Sequence, residues 1–558
     1  MRSTSTRLAR PRPNGLAIAV TIAGAYMANC AQAYQFDAGQ DWKVHWDNTL
    51  SYNLGVRMKS INHNIGDSPV AQESDYKFQD RGDVVTNRVA LLSEFDAVFD
   101  DRYGMRISAS GWNDFAYDDN VETNPGSAAP GVPYSSLGSR SNGKYGDETE
   151  KYYLHGAQLL DAFVFSNFTV GDYESSVKAG RLTQYWGNSL FFGSQGISYS
   201  QNASDLIKAA ATPGTQAKEL AIPRTQLLLQ TQLSPEFSLS AQYFLEYQEN
   251  LMPEGGTYLG PVGFLFQGPD QAFGGQLRRA HDDKPDNINN NFGLRAAWTP
   301  QWLDGTLSAY YRRLDETQAW APLFGLDGAQ PTYRLGYAEH VNLYGLSLDT
   351  QVGPYSTGFE VSYRQNTALN STSAIGSNDT KGARGDTLNV IANVLAGLTP
   401  TDLYDTGTAL AEIAYTRKLK VTDNKQLYNG VHDEGCGVGQ DKWDGCSTDD
   451  AVQIAVQFTP QWLQVWPGVD LDSPMLLIHG LYGNGASLNS GNQGSTVYSL
   501  GLHALMVQKY NVTLAYNGYH AHTSGKTSLG GNDFYAGGNG AWMYNDKDWL
   551  SLTFSTSF

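Results

Sequence analysis

No stretch of this 558-residue chain beyond its N-terminus approaches the ~20 consecutive apolar residues that a membrane-spanning helix needs. A helical integral membrane protein is thereby excluded. A barrel is not, because barrel strands are only half apolar. Cysteine is scarce, with Cys30, Cys436 and Cys446 the whole complement. Their spacing fits neither a CxxC redox pair nor a zinc site. Positive charge is also short, at 38 Lys and Arg against 56 Asp and Glu, for a formal net charge of −18. Nucleic-acid binding calls for a basic surface and is disfavoured. No Pro/Gly/Ser-rich linker divides the chain into domains.

What the chain does hold is 59 Gly, 33 Tyr, 22 Phe and 12 Trp, spread evenly. Its first residues set Arg2, Arg7, Arg10 and Arg12 before an apolar run from Leu16 to about Ala28, then Ala31-Gln32-Ala33. This is the pattern of a secretory signal peptide over 1–33, cleaved before Tyr34, leaving 34–558 as the mature protein. The leader carries four arginines and no acid, so its removal takes the net charge from −18 to −22. Cys436 and Cys446 then remain, and in an exported chain they are expected to form one local disulfide.

Alternation of apolar and polar residues is the strongest signal along the chain. "VHWDNTLSYNLGVR" puts Val44, Trp46, Leu50, Tyr52, Leu54 and Val56 on one face, with His45, Asp47, Thr49, Ser51, Asn53 and Arg57 on the other. The closing "WLSLTFSTSF" sets Leu550, Leu552, Phe554 and Phe558 against Ser551, Thr553, Ser555 and Ser557. Eighteen such segments are expected, near 43–58, 83–98, 103–118, 156–168, 172–182, 222–233, 237–247, 289–300, 304–314, 336–351, 355–366, 385–395, 405–420, 449–460, 469–484, 494–508, 510–521 and 547–557. Short connections follow every even segment, and long, polar, Gly/Asn/Asp-rich ones follow every odd segment. That rhythm predicts an all-β fold, a transmembrane antiparallel β-barrel of 16–18 strands in the bacterial outer membrane, with short periplasmic turns and long extracellular loops. The corner "TPQWL" occurs at 299–303 and again at 459–463, and both copies are expected at short turns. There Trp298, Trp302, Phe458, Trp462 and Trp466 would lie at the membrane–water boundary. The terminal Phe558 resembles the C-terminal signal through which barrel-assembly machinery receives its clients.

Eighteen strands enclose an aqueous interior rather than a filled core. Lipid does not accept charge cheaply, so alternation turns Arg57, Arg88, Arg106, Arg295, Arg312 and Arg364 inward with Asp47, Glu94, Asp96, Asp114, Glu246, Glu360 and Glu412. Singly, each charge can pair with a neighbouring strand. As a set they read as a pore lining with a field that orients polar solutes. The third long loop, within 179–230, carries its own apolar patch at Leu190, Phe191 and Phe192, a short helix expected from Asp205 to Ala211, then Pro213-Gly214. Such a loop must bury against something, either inside the barrel as a constriction or over its outer rim.

The run "KAGRLTQYWGNS", with "GISYSQNASD" and "ATPGTQAKELAIP" after it, resembles the hallmark block of the proteobacterial family called domain of unknown function 1302. Trp186, Gly187, Ser189, Pro213, Gly214, Lys218 and Glu219 match its pattern; Asn188 replaces the usual acid, and Asn202-Ala203 replaces Asn-Pro. "WDNTLSYNLGVR" and "DRGDVVTNRVALLSEFDAVF" resemble its opening. The resemblance implies a porin-like outer-membrane barrel that handles organic compounds. If the third loop folds inward, Trp186, Phe191, Phe192, Lys218 and Glu219 are the candidates for its constriction.

The function read from the sequence is a channel for passive or facilitated uptake of small organic compounds, hydrophobic or aromatic ones included. Its surroundings would be outer-membrane lipid and lipopolysaccharide. Two other classes compete, an occluded barrel with a surface, structural or lipid-handling role and a barrel-embedded hydrolase. Against the hydrolase, His45, His479 and His503 lie in strands with no serine elbow near them, so no enzyme is expected. Neither a cofactor nor a metal is expected. The acidic loop 422–450 has no EF-hand spacing and reads as solvated charge. Only about nine residues separate the cleavage site from Lys43, too few for the plug of an energised transporter.

Overall fold

In the computed structural model the described residues are 34–36, 39, 41–68, 76–136, 142–211, 217–260, 270–320, 323–379 and 381–558. The segment expected to be a signal peptide and the pair Pro213-Gly214 lie outside them. Eighteen antiparallel strands close on themselves. In chain order they are β1 (Trp42–Arg57), β2 (Val84–Phe99), β3 (Tyr103–Asp114), β4 (His155–Val170), β5 (Tyr173–Leu182), β6 (Arg224–Ser234), β7 (Phe237–Phe244), β8 (Phe292–Trp298) and β9 (Gly305–Leu314). There follow β10 (Val341–Val352), β11 (Tyr355–Ala368), β12 (Arg384–Gly397), β13 (Thr406–Asp423), β14 (Asp450–Trp466), β15 (Val469–Asp472 with Met475–Tyr482), β16 (Thr496–Met506), β17 (Tyr510–His520) and β18 (Trp549–Ser557). Each strand pairs with its sequence neighbours, and β1 pairs with β18 from Thr49 opposite Ser557 to Arg57 opposite Trp549. The backbones of Asn48 and Phe558 then exchange two hydrogen bonds of 2.8 Å, which ties the last residue into the seam. A short edge segment, Tyr34–Phe36, also pairs with β1.

The seam shows why this sequence makes a wall. Asn53 faces Thr553, whose hydroxyl donates to Asn53 Oδ1 at 2.8 Å, on the inner side. Leu54 faces Leu552 on the outer side, where Leu552 is exposed as lipid-facing residues are. Leu227, Leu229, Leu294, Leu346, Leu500 and Leu514 are similarly exposed on the outer face. Aromatic rings bound this apolar band at both ends. Trp42 packs on Phe99, Trp298 on Trp302, and Tyr510 on Phe554 at the short-turn end. Phe292, Tyr311, Tyr344 and Tyr363 form a chain of ring contacts at the other.

All the short connections fall at one end. Two of them, 100–102 and 507–509, open with two residues in the left-handed region: Asp100-Asp101 (φ 50° and 53°) and Val507-Gln508 (φ 45° and 55°). Positive φ at both positions is what a tight hairpin with right-handed strand twist requires. Three expectations need correction. First, the second TPQWL copy is not a turn: β14 runs through Pro460 to Trp466 and turns at Pro467-Gly468. Proline is tolerated there because β15 breaks opposite it, and Ser473 donates its backbone N–H to Pro460 O at 3.0 Å. Second, β15 is accordingly two pieces, parted by Ser473-Pro474. Third, β3 stops at Asp114 and β10 starts at Val341, because the residues assigned to strands beyond those points belong to packed loops.

The long loops build their own structure at the opposite end. Segments of the fourth and fifth form a four-stranded sheet from Gln271–Ala272, Leu277–Arg279, Gln330–Arg334 and Leu323–Asp327. Phe78, Tyr117, Tyr145, Tyr153 and Tyr258 pack edge-on and tilted into an aromatic cluster over the β1–β4 side of the mouth. Cys436 and Cys446 are joined by a disulfide with Cα atoms 5.8 Å apart.

Candidate functional site

The third long loop (183–223) leaves β5 and returns to β6, and it is fastened to side chains of β9 and β11–β14. Two carboxylates of the wall do most of this. Glu360 on β11 accepts backbone N–H groups from Asn188, Ser189 (2.7 Å) and Ile197 (2.8 Å). Glu412 on β13 accepts from Leu190 (2.6 Å), Phe191 (2.8 Å) and Phe192 (2.7 Å), and from Asn393 Nδ2 at 3.0 Å. Both carboxylates are about 1% exposed. Successive N–H groups that converge on one point form an anion nest, and bonds to an ionised acceptor are about twice as strong as neutral ones.

Cations of the wall hold the loop's carbonyls. Arg312 donates to Ile197 O and Tyr199 O, each at 2.7 Å. Arg364 donates to Ser194 O at 2.6 Å and lies 3.8 Å over the Tyr199 ring. Ser362 donates to Gln195 O at 3.1 Å, Gln453 to the Gln195 side chain, and Asn393 to Asn188 O at 2.8 Å.

Sterics complete the fit. A Cβ on Gly293 would stand 2.5 Å from the Trp186 ring, and one on Gly345 would stand 2.7 Å from Ile197. Those two wall positions must be small for the loop to dock. Gly187 has φ +91°, and a side chain there would strike Glu360. Phe192 is buried against Ile391, Ala414 and Ala455, with Phe191 beside it. Full burial of a phenylalanine is worth roughly 1.5–3 kcal/mol. Trp186 is buried against Tyr310 at 6.0 Å between ring centres, and its backbone N–H donates to Gln201 Oε1 at 2.8 Å.

Arg106, Arg88, Arg57 and Glu246, also assigned to the interior, have local partners of opposite charge. Arg106 meets Glu94, Asp96 (2.9 Å) and Asp161 (3.2 Å). Arg88 meets Asp114 at 3.3 Å and donates to Tyr152 O at 2.6 Å. Arg57 is fully buried at the loop end, donating to Phe78 O, Lys59 O and Asp546 O. Arg295 contacts Ser308 Oγ at 3.1 Å and the Tyr310 ring. Asp47, half-buried, stands opposite Glu94. Glu246 lies two residues past the end of β7, where it binds Arg181 at 2.8 Å and Thr225.

In the loop's second half, the helix Leu206–Ala211 follows Asp205, whose carboxylate caps the Lys208 N–H at 2.9 Å. Burial pushes the Asp205 carboxyl above its ordinary range, with Lys208 opposing, and burial lowers Lys208. Glu219 reaches Lys208 Nζ at 4.0 Å. Lys218 sits in the helical turn Ala217–Leu220.

Sequence reasoning missed two further groups. Asp315, Glu339 and His340, at the two ends of the fifth loop, bring ligand-type atoms within 4.8 Å of one another. Asn291 (2.8 Å) and Asn289 (3.0 Å) donate to the Asp315 carboxylate there. Above the third loop lies a cavity of about 740 Å³ that Phe191, Phe192 and Tyr199 line with residues of later loops. Loop residues carry no periodicity, so neither group had a signal to follow. Of the histidines, His503 bonds Asp472 (2.6 Å) and Asn511 (3.1 Å), and His479 bonds Thr496 (2.8 Å). Among the described residues neither is bonded to a serine hydroxyl.

A closed barrel of 18 antiparallel strands, apolar outside and ringed by aromatics, is the architecture of a Gram-negative outer-membrane protein. Residues 14–558 match the family described as protein of unknown function (DUF1302), and the chain belongs to it. Comparison with curated proteins gave no match. Solved structures similar to it include OccAB4 of Acinetobacter baumannii, 11% identical, covering 95% of this chain and 100% of that one, with a TM-score of 0.43. A BenF-like porin from Pseudomonas fluorescens Pf-5 is 8% identical over 92% of this chain and 98% of that one, with a TM-score of 0.41. OpdK of Pseudomonas aeruginosa, solved with vanillate, is 10% identical over the same shares, with a TM-score of 0.40.

Proposed function

We propose that this protein is a channel for passive or facilitated passage of small organic compounds across the outer membrane, and that its third loop narrows the path. The observation that carries this reading is the docking of 186–199 on Glu360, Glu412, Arg312 and Arg364. A loop held by six backbone amides and three carbonyls against one side of the wall is a fixed constriction rather than a mobile lid. Passage is the role that such a cross-section serves, and among the described residues the docked loop brings together no nucleophile with a base. The chain is not an enzyme in this reading. Lipid and lipopolysaccharide surround it, and Phe558 presents it to the assembly machinery.

The test is planar-bilayer recording of the refolded barrel. Wild type should show small, ohmic steps, and Glu412→Ala should show steps several-fold larger. Equal conductance in both would remove the third loop from the path.

A further inference from the structure

Away from the third loop, the short-turn end of the barrel carries charge of mostly one sign. Its eight turns, at 100–102, 171–172, 235–236, 299–304, 353–354, 398–405, 467–468 and 507–509, hold seven acids and two cations. Lys43 binds Asp101 at 2.6 Å, and Arg102 reaches Asp100 at 3.5 Å. Asp172, Glu236, Asp304, Asp402 and Asp405 are left with Lys509 alone as counter-charge within the turns. These five acids sit on four separate turns, so they rim the mouth instead of gathering at one point.

The lumen below the third loop continues the pattern. On β2–β4, Glu94, Asp96 and Asp161 share the one guanidinium of Arg106, which leaves two negative charges over. Asp349 is exposed on β10, three residues past the lipid-facing Leu346, so alternation turns it inward. Glu174 on β5 is likewise exposed, on the same face of the strand as Lys178. Among the described residues Asp47, Glu174 and Asp349 form no ion pair, and the cations of that wall without an acid partner are Lys178 and Arg295. At the constriction itself the signs cancel, since Glu360 and Glu412 are matched by Arg312 and Arg364. The loop therefore sets size, and the lumen and rim below it set sign.

Carboxylates along a path draw cations in and hold anions out, because the low-dielectric wall focuses their summed field on the water between. We propose that this channel selects by sign, passing small organic ammonium ions in preference to organic carboxylates. This names a substrate class for the channel proposed above and rests on that reading.

The test is the reversal potential of the refolded full chain in a planar bilayer. Under a gradient of about 0.1 M against about 0.01 M KCl, where charges act over ~10–30 Å, K+ should pass roughly threefold or more over Cl−. Near ~1 M salt, where that reach shrinks to ~3 Å, the ratio should fall toward unity. Benzylammonium substituted for K+ should carry current, and benzoate substituted for Cl− should carry several-fold less. Asp47→Asn combined with Glu174→Gln and Asp349→Asn should lower the K+/Cl− ratio about twofold or more. Asp172→Asn combined with Asp304→Asn and Asp402→Asn, all on exposed turns, should lower it as well. This second set serves if the first gives no heat-modifiable barrel. A wild-type ratio at or below unity overturns the proposal, as does benzoate passing as well as benzylammonium, or a ratio unmoved by both sets. Each of those outcomes leaves a conducting channel and sinks the sign selection alone. Absence of current sinks the channel reading and the selection with it.

Discussion

Replacing Glu412 by alanine should release the third loop and leave the barrel standing. The side chain accepts three backbone N–H groups and one from Asn393, all at 3.0 Å or less, at a position about 1% exposed. Hydrogen bonds to a charged group are worth ~1.5–3 kcal/mol each, and breaking several at once lets water enter, so the net loss of anchoring is roughly 3–6 kcal/mol. The wall does not share this loss, since β13 keeps its backbone register with β12 and β14 across Glu412. Two assays read the outcome. Limited proteolysis of the folded protein should cut within 186–199 at least tenfold faster in the variant, while heat-modifiable gel migration is unchanged. Unit conductance should rise. A variant with wild-type cleavage and wild-type conductance would refute the claim that these amide bonds hold the loop.

Further outcomes follow from the same contacts. Gly345→Leu places atoms where Ile197 lies 2.7 Å from the glycine's Cβ position, so it should mimic Glu412→Ala in proteolysis and conductance. Removing the local staple with Cys436→Ser should cost roughly 2–3 kcal/mol of order in loop 424–449 and nothing in barrel stability, as hydrogen exchange and thermal unfolding would report. The Asp205 carboxyl is raised by burial, so its contribution to folding is full below the unfolded value and is lost as pH rises through the folded one. Protection of 205–211 from protease should therefore increase as pH drops from neutral toward about 4, and Asp205→Asn should flatten that slope.

The strands were legible because alternation and turn chemistry are local. All eighteen appear where alternation placed them, to within a few residues at most ends. Pro460 and Pro474 misled because Pro460 sits inside β14 opposite the break that Pro474 marks in β15, a relation between neighbours that no single window shows. The inward charges illustrate the harder limit. Alternation turns Glu360 and Glu412 inward, and the structure bonds both to backbone N–H groups, which carry no residue code. Most of the inward charges are thus local pairs or loop anchors, while Asp47 and Arg295 are neither. Gly293 and Gly345 held a readable clue, since glycine inside a strand often marks close approach by another segment.

The central claim is that this barrel passes small organic molecules along a path narrowed by its third loop. Single-channel recording of the refolded wild-type protein in a planar bilayer tests it most directly. Steady ohmic steps are the predicted result. A heat-modifiable, folded barrel that carries no current at any voltage would contradict it.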